Sequence, residues 1–171
     1  MSDGVRVAVV MGVSGSGKTT LARALAGAWE ASFLDADDFH GDEARALMAG
    51  GQPLTDELRL PWVMRIAAEL QRRVVAGERV ALAFSGLRRQ HRDLLRAAGL
   101  PLRFLFLRGA AAVIGERMRG RSGHYMPVSL LDSQLATLEE PGDEHDIVML
   151  PVDLPPDAQL RRALQVLAAP L

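Results

Sequence analysis

The sequence has no cysteine and no asparagine, and Lys18 is its only lysine. Without cysteine, the protein has no disulfide, no thiolate metal ligand and no cysteine nucleophile. It also lacks any apolar run near the ~20 residues that a membrane helix needs, and the apolar run at 5–11 is too short for the core of a signal peptide. We therefore expect a cytoplasmic protein that does not bind membranes.

The chain also lacks an excess of charge of either sign. Lys and Arg total 20, Asp and Glu total 21, and the net charge is −1 at pH 7. This balance argues against a protein that coats nucleic acids, because such proteins carry a strongly basic surface. The 171 residues fit one domain, which we expect to span residues 1–171.

Apolar runs typical of strands alternate along the chain with segments of helical periodicity. The expected strands are 5–11, 33–35, 80–84, 103–107 and 147–152. The expected helices are 17–29, 42–49, one that follows Thr55 and has Pro61 in its first turn, 89–98, 110–119, 129–138 and 157–168. Pro151 places the last strand at a sheet edge or ends it. The alternation predicts a three-layer α/β fold with a parallel sheet of about five strands, whose ligands bind at the carboxyl ends of the strands.

A glycine-rich motif, G-V-S-G-S-G-K-T, follows the first strand and precedes the first helix. It comprises Gly12, Val13, Ser14, Gly15, Ser16, Gly17, Lys18 and Thr19, and Thr20 comes next. In this context the motif is typical of ATP or GTP binding, because its backbone N–H groups surround phosphate oxygens. We expect Lys18 to bind the β- and γ-phosphates and to act in catalysis, and Thr19 to bind Mg²⁺. GTPases normally read guanine with an Asn-containing motif, so the absence of asparagine favours a small ATP-dependent kinase.

Several carboxylates follow the second strand, in the run F-L-D-A-D-D-F-H. A kinase needs one carboxylate near Mg²⁺ and one that orients or deprotonates the attacking hydroxyl. We assign Asp35 to the metal and Asp37 to the acceptor hydroxyl and to catalysis. The alternative is that Asp37 and Asp38 only cap the next helix. His40 either binds substrate or is a polar residue of the turn.

Arginines recur after the third strand, where Arg88, Arg92 and Arg96 share one helix face. The planar guanidinium is suited to binding a carboxylate. We expect Arg88 and Arg92 to bind the acceptor and Arg96 to face solvent. The alternative is a basic face that is solvated throughout.

Six runs together carry a resemblance to a known family. They are G-V-S-G-S-G-K-T, F-L-D-A-D-D-F-H, M-A-G-G-Q-P-L-T-D-E-L-R-L-P-W, S-G-L-R-R-Q-H-R-D-L-L-R, R-S-G-H-Y-M-P and S-L-L-D-S-Q-L-A-T-L-E-E-P. The chain resembles the gluconokinases of the thermoresistant type, from about residue 5 to residue 153. It departs from the usual family pattern at Gly41, Ala44, Leu47, Arg88 and His91.

The resemblance implies a nucleoside-monophosphate-kinase-like fold with strand order 2-3-1-4-5, an acceptor-binding helical region at about 40–76 and a mobile lid at about 117–130. It implies Mg²⁺ and ATP, and phosphorylation of the 6-hydroxyl of D-gluconate by a protein that is often a homodimer. In the lid, it implies that Arg121 stabilises the transferring phosphoryl group, that Arg117 binds the nucleotide, and that His124 binds substrate. Exposed arginines without a role are the alternative.

Two other functions remain open at this level. One is a kinase of another small hydroxy acid, similar to shikimate kinases, which share the D-x-D after the second strand. Those kinases also have a run of glycines after the third strand, where this chain has Ser85, Gly86 and Leu87. The other is a nucleotide-binding regulatory protein without acceptor turnover, against which the presence of Asp37 and the lid arginines argues.

Overall fold

The structure is a computed structural model that describes residues 4–119 and 128–171. Within these ranges the strands are β1 (Val7–Met11), β2 (Ser32–Asp35), β3 (Val80–Ala83), β4 (Leu102–Arg108) and β5 (Ile147–Pro151). The helices are α1 (Lys18–Ala28), α2 (Asp42–Ala49), α3 (Asp56–Val75), α4 (Arg89–Arg96), α5 (Ala111–Arg119), α6 (Val128–Thr137) and α7 (Pro156–Ala168).

The five strands form one parallel sheet in the order β2-β3-β1-β4-β5, which confirms the expected fold. In the register, Val10 of β1 is aligned with Ala83 of β3 and Leu105 of β4. The order brings the carboxyl ends of β1, β2 and β3 together at one edge of the sheet. Strand β5 is an edge strand of the sheet and ends with Pro151. At an edge, the missing N–H of proline interrupts no pairing between inner strands.

The strand β1 is buried along its whole length, as its continuous β-branched run predicts. One face of the sheet packs on α1 and α7, with Leu25 and Ala163 at the centre of the contact. The other face packs on α3 through Trp62 and Ile66. Both faces of the sheet are therefore covered by helices, which is the expected three-layer arrangement. No helix in the described ranges is long and apolar enough to cross a membrane.

Two local features differ from expectation. Helix α3 begins directly after Thr55, as expected, and the Thr55 hydroxyl accepts the N–H of Leu58 as an N-cap. Pro61 is consequently the sixth residue of α3, in the second turn, where it cannot donate to the carbonyl of Glu57. In addition, a short 3₁₀ helix that we did not expect occupies residues Ala36–Phe39, directly after β2.

Candidate active site

The glycine-rich loop between β1 and α1 has a backbone that only glycine adopts easily. Gly12 and Gly15 have φ angles of 146° and 81°. A Cβ atom on Gly12 would lie 2.8 Å from the carbonyl oxygen of Leu107, and one on Gly15 would lie 2.5 Å from Cγ of Met118. The loop therefore needs glycine both for its conformation and for its close contacts with β4 and α5.

The amino end of α1 opens onto this loop. Its N-cap residue, Gly17, has a left-handed conformation and no side chain that could cap the first N–H groups of the helix. Ser16 is completely buried, and its Oγ has no hydrogen-bond partner among the described residues. Thr19 and Thr20 are exposed in the first turn. An uncapped helix amino end beside a buried hydroxyl is suited to the oxygens of a phosphate group.

Lys18 folds back over the loop, and its ammonium Nζ donates a hydrogen bond to the carbonyl of Val13 over 3.0 Å. Its charge also acts on Asp35 at the end of β2 and favours the ionised form of that carboxyl. Strands β1 and β2 are separated only by β3, so the sheet order brings the lysine and the carboxylate to the same edge. The structure thus joins two parts of the predicted site.

Asp35 is half-buried, and burial raises the pKa of its carboxyl above the usual value of 3.8. A hydrogen bond from the N–H of Asp37, with a donor–acceptor distance of 2.9 Å, partly opposes that rise. The same bond makes Asp35 the N-cap of the 3₁₀ helix. Asp35 therefore combines a local structural role with a position next to the phosphate loop.

Asp37 is exposed, with 84% of its side-chain surface open to solvent. Its Oδ1 lies 3.8 Å from Nε2 of His40. Helix α2 begins after Gly41, and no side chain caps it, so neither Asp37 nor Asp38 has the capping role that we considered as the alternative. The capping carboxylate of this segment is Asp35, and the carboxylate of Asp37 remains accessible to a bound molecule.

His40 is buried and stacks on the indole of Trp62, with ring centroids 4.4 Å apart and 15° between the ring planes. Burial lowers the pKa of the imidazole below 6.5, and the positive charges of Arg45 and Arg65 lower it further. This environment therefore favours the neutral form of the ring. Its Nδ1 is buried and has no hydrogen-bond partner in residues 4–119 and 128–171, which leaves one polar atom of His40 available to a ligand.

Three side chains that we did not predict hold the segment around His40. Arg45 donates from Nε to the carbonyl of His40 over 3.1 Å, and Arg65 donates from Nε to the carbonyl of Phe39 over 2.8 Å. The indole N–H of Trp62 donates to the carbonyl of Ala36 over 2.6 Å. Trp62 and Arg65 are three residues apart on α3 and therefore lie on the same face of the helix. This spacing is the feature of the sequence that could have predicted that they act together.

A basic cluster lies at the amino end of α4. Arg88 donates from Nη1 to Oδ2 of Asp56 over 3.1 Å, and its buried Nε has no partner in the part of the chain that the structure describes. Burial, and then the charge of Arg88, lower the pKa of the Arg59 guanidinium. Burial also lowers the pKa of His91, whose buried Nε2 has no hydrogen-bond partner within the described ranges. The charges of Arg59 and Arg88 exceed the single negative charge of Asp56, and this net positive charge favours binding of an anion.

Arg92 is not among the side chains that face the site, contrary to our expectation. It is completely buried, and its guanidinium is bonded to the Glu144 carboxylate at 2.9 and 2.6 Å. The remaining N–H groups donate to the carbonyls of Gly86, Leu87 and Glu139. All five donors of an arginine are thereby used inside the protein, so Arg92 has none left for an acceptor.

We expected Arg96 to face solvent, but its side chain is paired with carboxylates of the protein. Its guanidinium donates to Asp146 at 2.7 Å from both Nε and Nη2, and from Nη2 to Glu144, also at 2.7 Å. The face of α4 that carries Arg92 and Arg96 therefore packs against the segment before β5. Arg88, at the start of α4, is the one member of the predicted arginine series that adjoins the site.

The segment expected to form a lid is described only at its two ends. Arg117 is exposed on α5, and Ile114 and Met118 of the same helix pack against Gly15. Arg121 and His124 lie outside the described residues. Their roles remain predictions from the sequence.

A magnesium site would have few protein ligands here. Among the described residues, no three His, Asp or Glu side chains come together as a metal-binding group. This fits Mg²⁺ in kinases, which is usually held by one or two protein ligands together with waters and substrate phosphates. The exposed Thr19 hydroxyl and the Asp35 carboxyl are two oxygen donors beside the loop.

Comparison with known proteins gives a consistent set of relatives. A family model described as an AAA domain matches residues 7–141. The gluconokinase of Gluconobacter oxydans is 40% identical over 160 residues, which are 94% of this chain and 90% of the relative. The thermosensitive gluconokinase of Escherichia coli is 41% identical over 146 residues, which are 85% of this chain and 78% of the relative.

Solved structures agree with these relatives. The crystal structure of a gluconokinase from Sinorhizobium meliloti has a TM-score of 0.87 and 42% identity, and the match covers 97% of this chain and 92% of that one. A shikimate kinase from Bacteroides thetaiotaomicron has a TM-score of 0.65 at 16% identity, a likeness that shows the fold alone.

Proposed function

The chain belongs to the gluconokinase family, and on this premise we propose that it transfers the γ-phosphoryl group of ATP to the 6-hydroxyl of D-gluconate. The products are ADP and 6-phospho-D-gluconate. The observation that carries the proposal is that Lys18, in its phosphate loop after β1, and the Asp35–Asp37 turn after β2 lie at the same edge of the sheet. The arginine pair of Arg59 and Arg88 adds an anion site on the acceptor side.

On the nucleotide side, the backbone N–H groups of Gly15 to Thr19 and the amino end of α1 bind the phosphates. The Lys18 ammonium neutralises charge that develops between the β- and γ-phosphates. Arg117 contacts the nucleotide and Arg121 the transferring phosphoryl group, as the family resemblance implies. Thr19 and Asp35 would hold Mg²⁺, which supplies further neutralisation of phosphate charge.

On the acceptor side, Asp37 orients the 6-hydroxyl and takes its proton as the oxygen attacks the γ-phosphorus. The bond from the γ-phosphorus to the leaving ADP oxygen breaks in the same transfer. Arg88 and Arg59 bind the carboxylate of the acid, which a guanidinium can contact with two parallel hydrogen bonds. His40 donates or accepts through its unpartnered Nδ1, and His124 adds a further contact.

Two parts of the proposal come from the sequence and the family resemblance alone. They are a homodimeric assembly and a cytoplasmic location. The two alternative functions have less support: the likeness to shikimate kinases is one of fold, and a regulatory protein would have no use for an accessible carboxylate beside the phosphate loop.

The acceptor is tested by coupled ADP release over a panel of aldonates, shikimate and nucleoside monophosphates, with and without Mg²⁺. We expect D-gluconate to give turnover well above every other panel member, and we expect that turnover to require Mg²⁺. Equal or faster turnover with shikimate or a nucleotide would reject the assignment of the acceptor. ATP binding without turnover of any panel member would support the regulatory alternative.

The role of Asp37 is tested by Asp37→Asn, which keeps the shape of the side chain and removes the base. We expect kcat to fall by ~10²-fold or more, a typical loss for a positioned acid–base group. The dissociation constant for ATP should stay nearly unchanged, because Asp37 acts on the acceptor. A loss of ATP affinity as large as the loss of rate would instead place Asp37 at the metal.

A further inference from the structure

The side chain of Gln134 forms two hydrogen bonds with Ser14 of the phosphate loop. The backbone N–H of Ser14 donates to Oε1 of Gln134 over 2.6 Å, and Nε2 of Gln134 donates to Oγ of Ser14 over 3.0 Å. The carboxamide thus uses both of its ends on a single residue that is 120 positions away in the sequence. Gln134 lies on α6 and is half-buried.

Ser14 is located in the part of the loop that regular structure restrains least. It is flanked by Val13 and Gly15, beyond the end of β1 and before the start of α1. Glycine on either side of this stretch, at Gly12 and Gly15, gives the backbone wide conformational freedom. Two hydrogen bonds from a packed helix remove much of that freedom, so Gln134 restrains the loop before any phosphate binds.

The segment that carries Gln134 is anchored again five residues later, on the acceptor side. The N–H of Glu139 donates to the carbonyl of Leu87 over 2.7 Å, and a Glu139 carboxylate oxygen accepts the N–H of Arg89 at 3.4 Å. Leu87 and Arg89 flank Arg88, the predicted ligand of the acceptor carboxylate. We call residues 134–139 the strut, because they connect the phosphate loop to the Arg88 turn.

We propose that Gln134 is a positioning residue that sets the phosphate loop at the correct distance and angle from the acceptor subsite. The inference rests on the proposed phosphoryl transfer between those two subsites. Phosphoryl transfer depends mainly on the alignment of the attacking and leaving groups, and the strut is a direct protein connection between the loops that hold them. Gln134 acts through Ser14 and makes no contact with the reacting atoms.

The first test is Gln134→Met, which keeps the approximate length of the side chain and removes both hydrogen bonds. We expect kcat for phosphoryl transfer to fall roughly 10-fold or more, because a displacement of about 1 Å away from the reacting atoms can cost ~10²-fold. The dissociation constant for nucleotide should change by less than about 3-fold, because the other N–H groups of the loop remain in place. The matched control is Gln71→Met, which removes a hydrogen bond to the carbonyl of Ala98, beyond the carboxyl end of α4, and should leave kcat unchanged.

A second readout separates positioning from a purely structural role. The ratio of phosphoryl transfer to acceptor-independent ATP hydrolysis does not depend on how much of the protein is folded. Positioning predicts that this ratio falls in Gln134→Met, because water needs no alignment with the acceptor subsite. An unchanged ratio, or a loss of nucleotide affinity equal to the loss of kcat, would overturn the proposal.

A double-variant comparison tests whether Gln134 acts through Ser14. Ser14→Ala removes the hydroxyl that accepts from Nε2 of Gln134, so its effect should overlap with that of Gln134→Met. We expect the fold-losses of the two variants not to multiply in the double variant, whereas full multiplication would refute the link. All of these comparisons use the acceptor that the wild type turns over fastest. If that acceptor is not D-gluconate, the wild-type panel shows it, and the comparisons between variants remain valid.

Discussion

Lys18→Arg is expected to lower kcat at least ~100-fold while the protein stays folded. The ammonium of Lys18 reaches the Val13 carbonyl at 3.0 Å across a loop whose glycines are in close contact with β4 and α5. A guanidinium is wider, planar and rigid, so it would displace the phosphates or be pushed out of the loop. Loss of one preorganised group that stabilises transition-state charge typically costs ~10²–10³-fold in kcat, which is about 3–4 kcal/mol.

The measurement is steady-state turnover beside a thermal melt of the same preparation. If Lys18 contributed only a positive charge, arginine would replace it without loss of turnover. Apart from histidine, arginine is the basic residue at all other positions of this chain. Turnover near that of the wild type would therefore contradict the geometric argument. A collapsed melt would mean that the substitution had disturbed folding of the loop instead.

The parts of the molecule that depend on local sequence could be predicted. The continuous apolar run at Val7–Met11 predicts a buried strand, and the alternation of strands and helices predicts the parallel sheet, both of which are confirmed. The phosphate loop is also local, because its glycines and Lys18 are adjacent in the chain. The order of the strands came from the family resemblance, since periodicity alone does not determine which strands are neighbours.

The parts that depend on distant contacts could not be predicted in the same way. Helical spacing puts Arg88 and Arg92 on one face, but it cannot show that Glu144, 52 residues later, neutralises only the second of them. Likewise, nothing near Ser14 in the sequence indicates that Gln134 binds it. The Asp35–Asp37 pattern was local, yet the choice of Asp35 as the capping residue depends on the 3₁₀ helix that follows β2.

Glu144→Ala is expected to destabilise the protein by about 3–5 kcal/mol, because it leaves the buried guanidinium of Arg92 without its counter-charge. The side chains of Arg92 and Glu144 are only 1% and 3% exposed, so water cannot compensate for the loss. At roughly 2–4 °C per kcal/mol for a chain of this size, the melting temperature should fall by about 6–20 °C. The matched control is Asp157→Ala, which breaks an exposed ion pair with Arg161 and should have a small effect.

The stabilisation by Glu144 should also depend on pH. Hydrogen bonds from Arg92, followed by those from Arg96, lower the pKa of Glu144 from 4.5 to about 2 in the folded protein. A carboxyl whose pKa is lower in the folded state stabilises the fold fully above its unfolded pKa, and this contribution is lost as the pH falls toward the folded pKa. The difference in unfolding free energy between the wild type and Glu144→Gln should therefore be constant at neutral pH and shrink as the pH falls from about 5 to about 2. Denaturant titrations of both proteins across this range measure it, and a difference that stays constant down to the acid end would show that the charge of Glu144 is not what stabilises the pair.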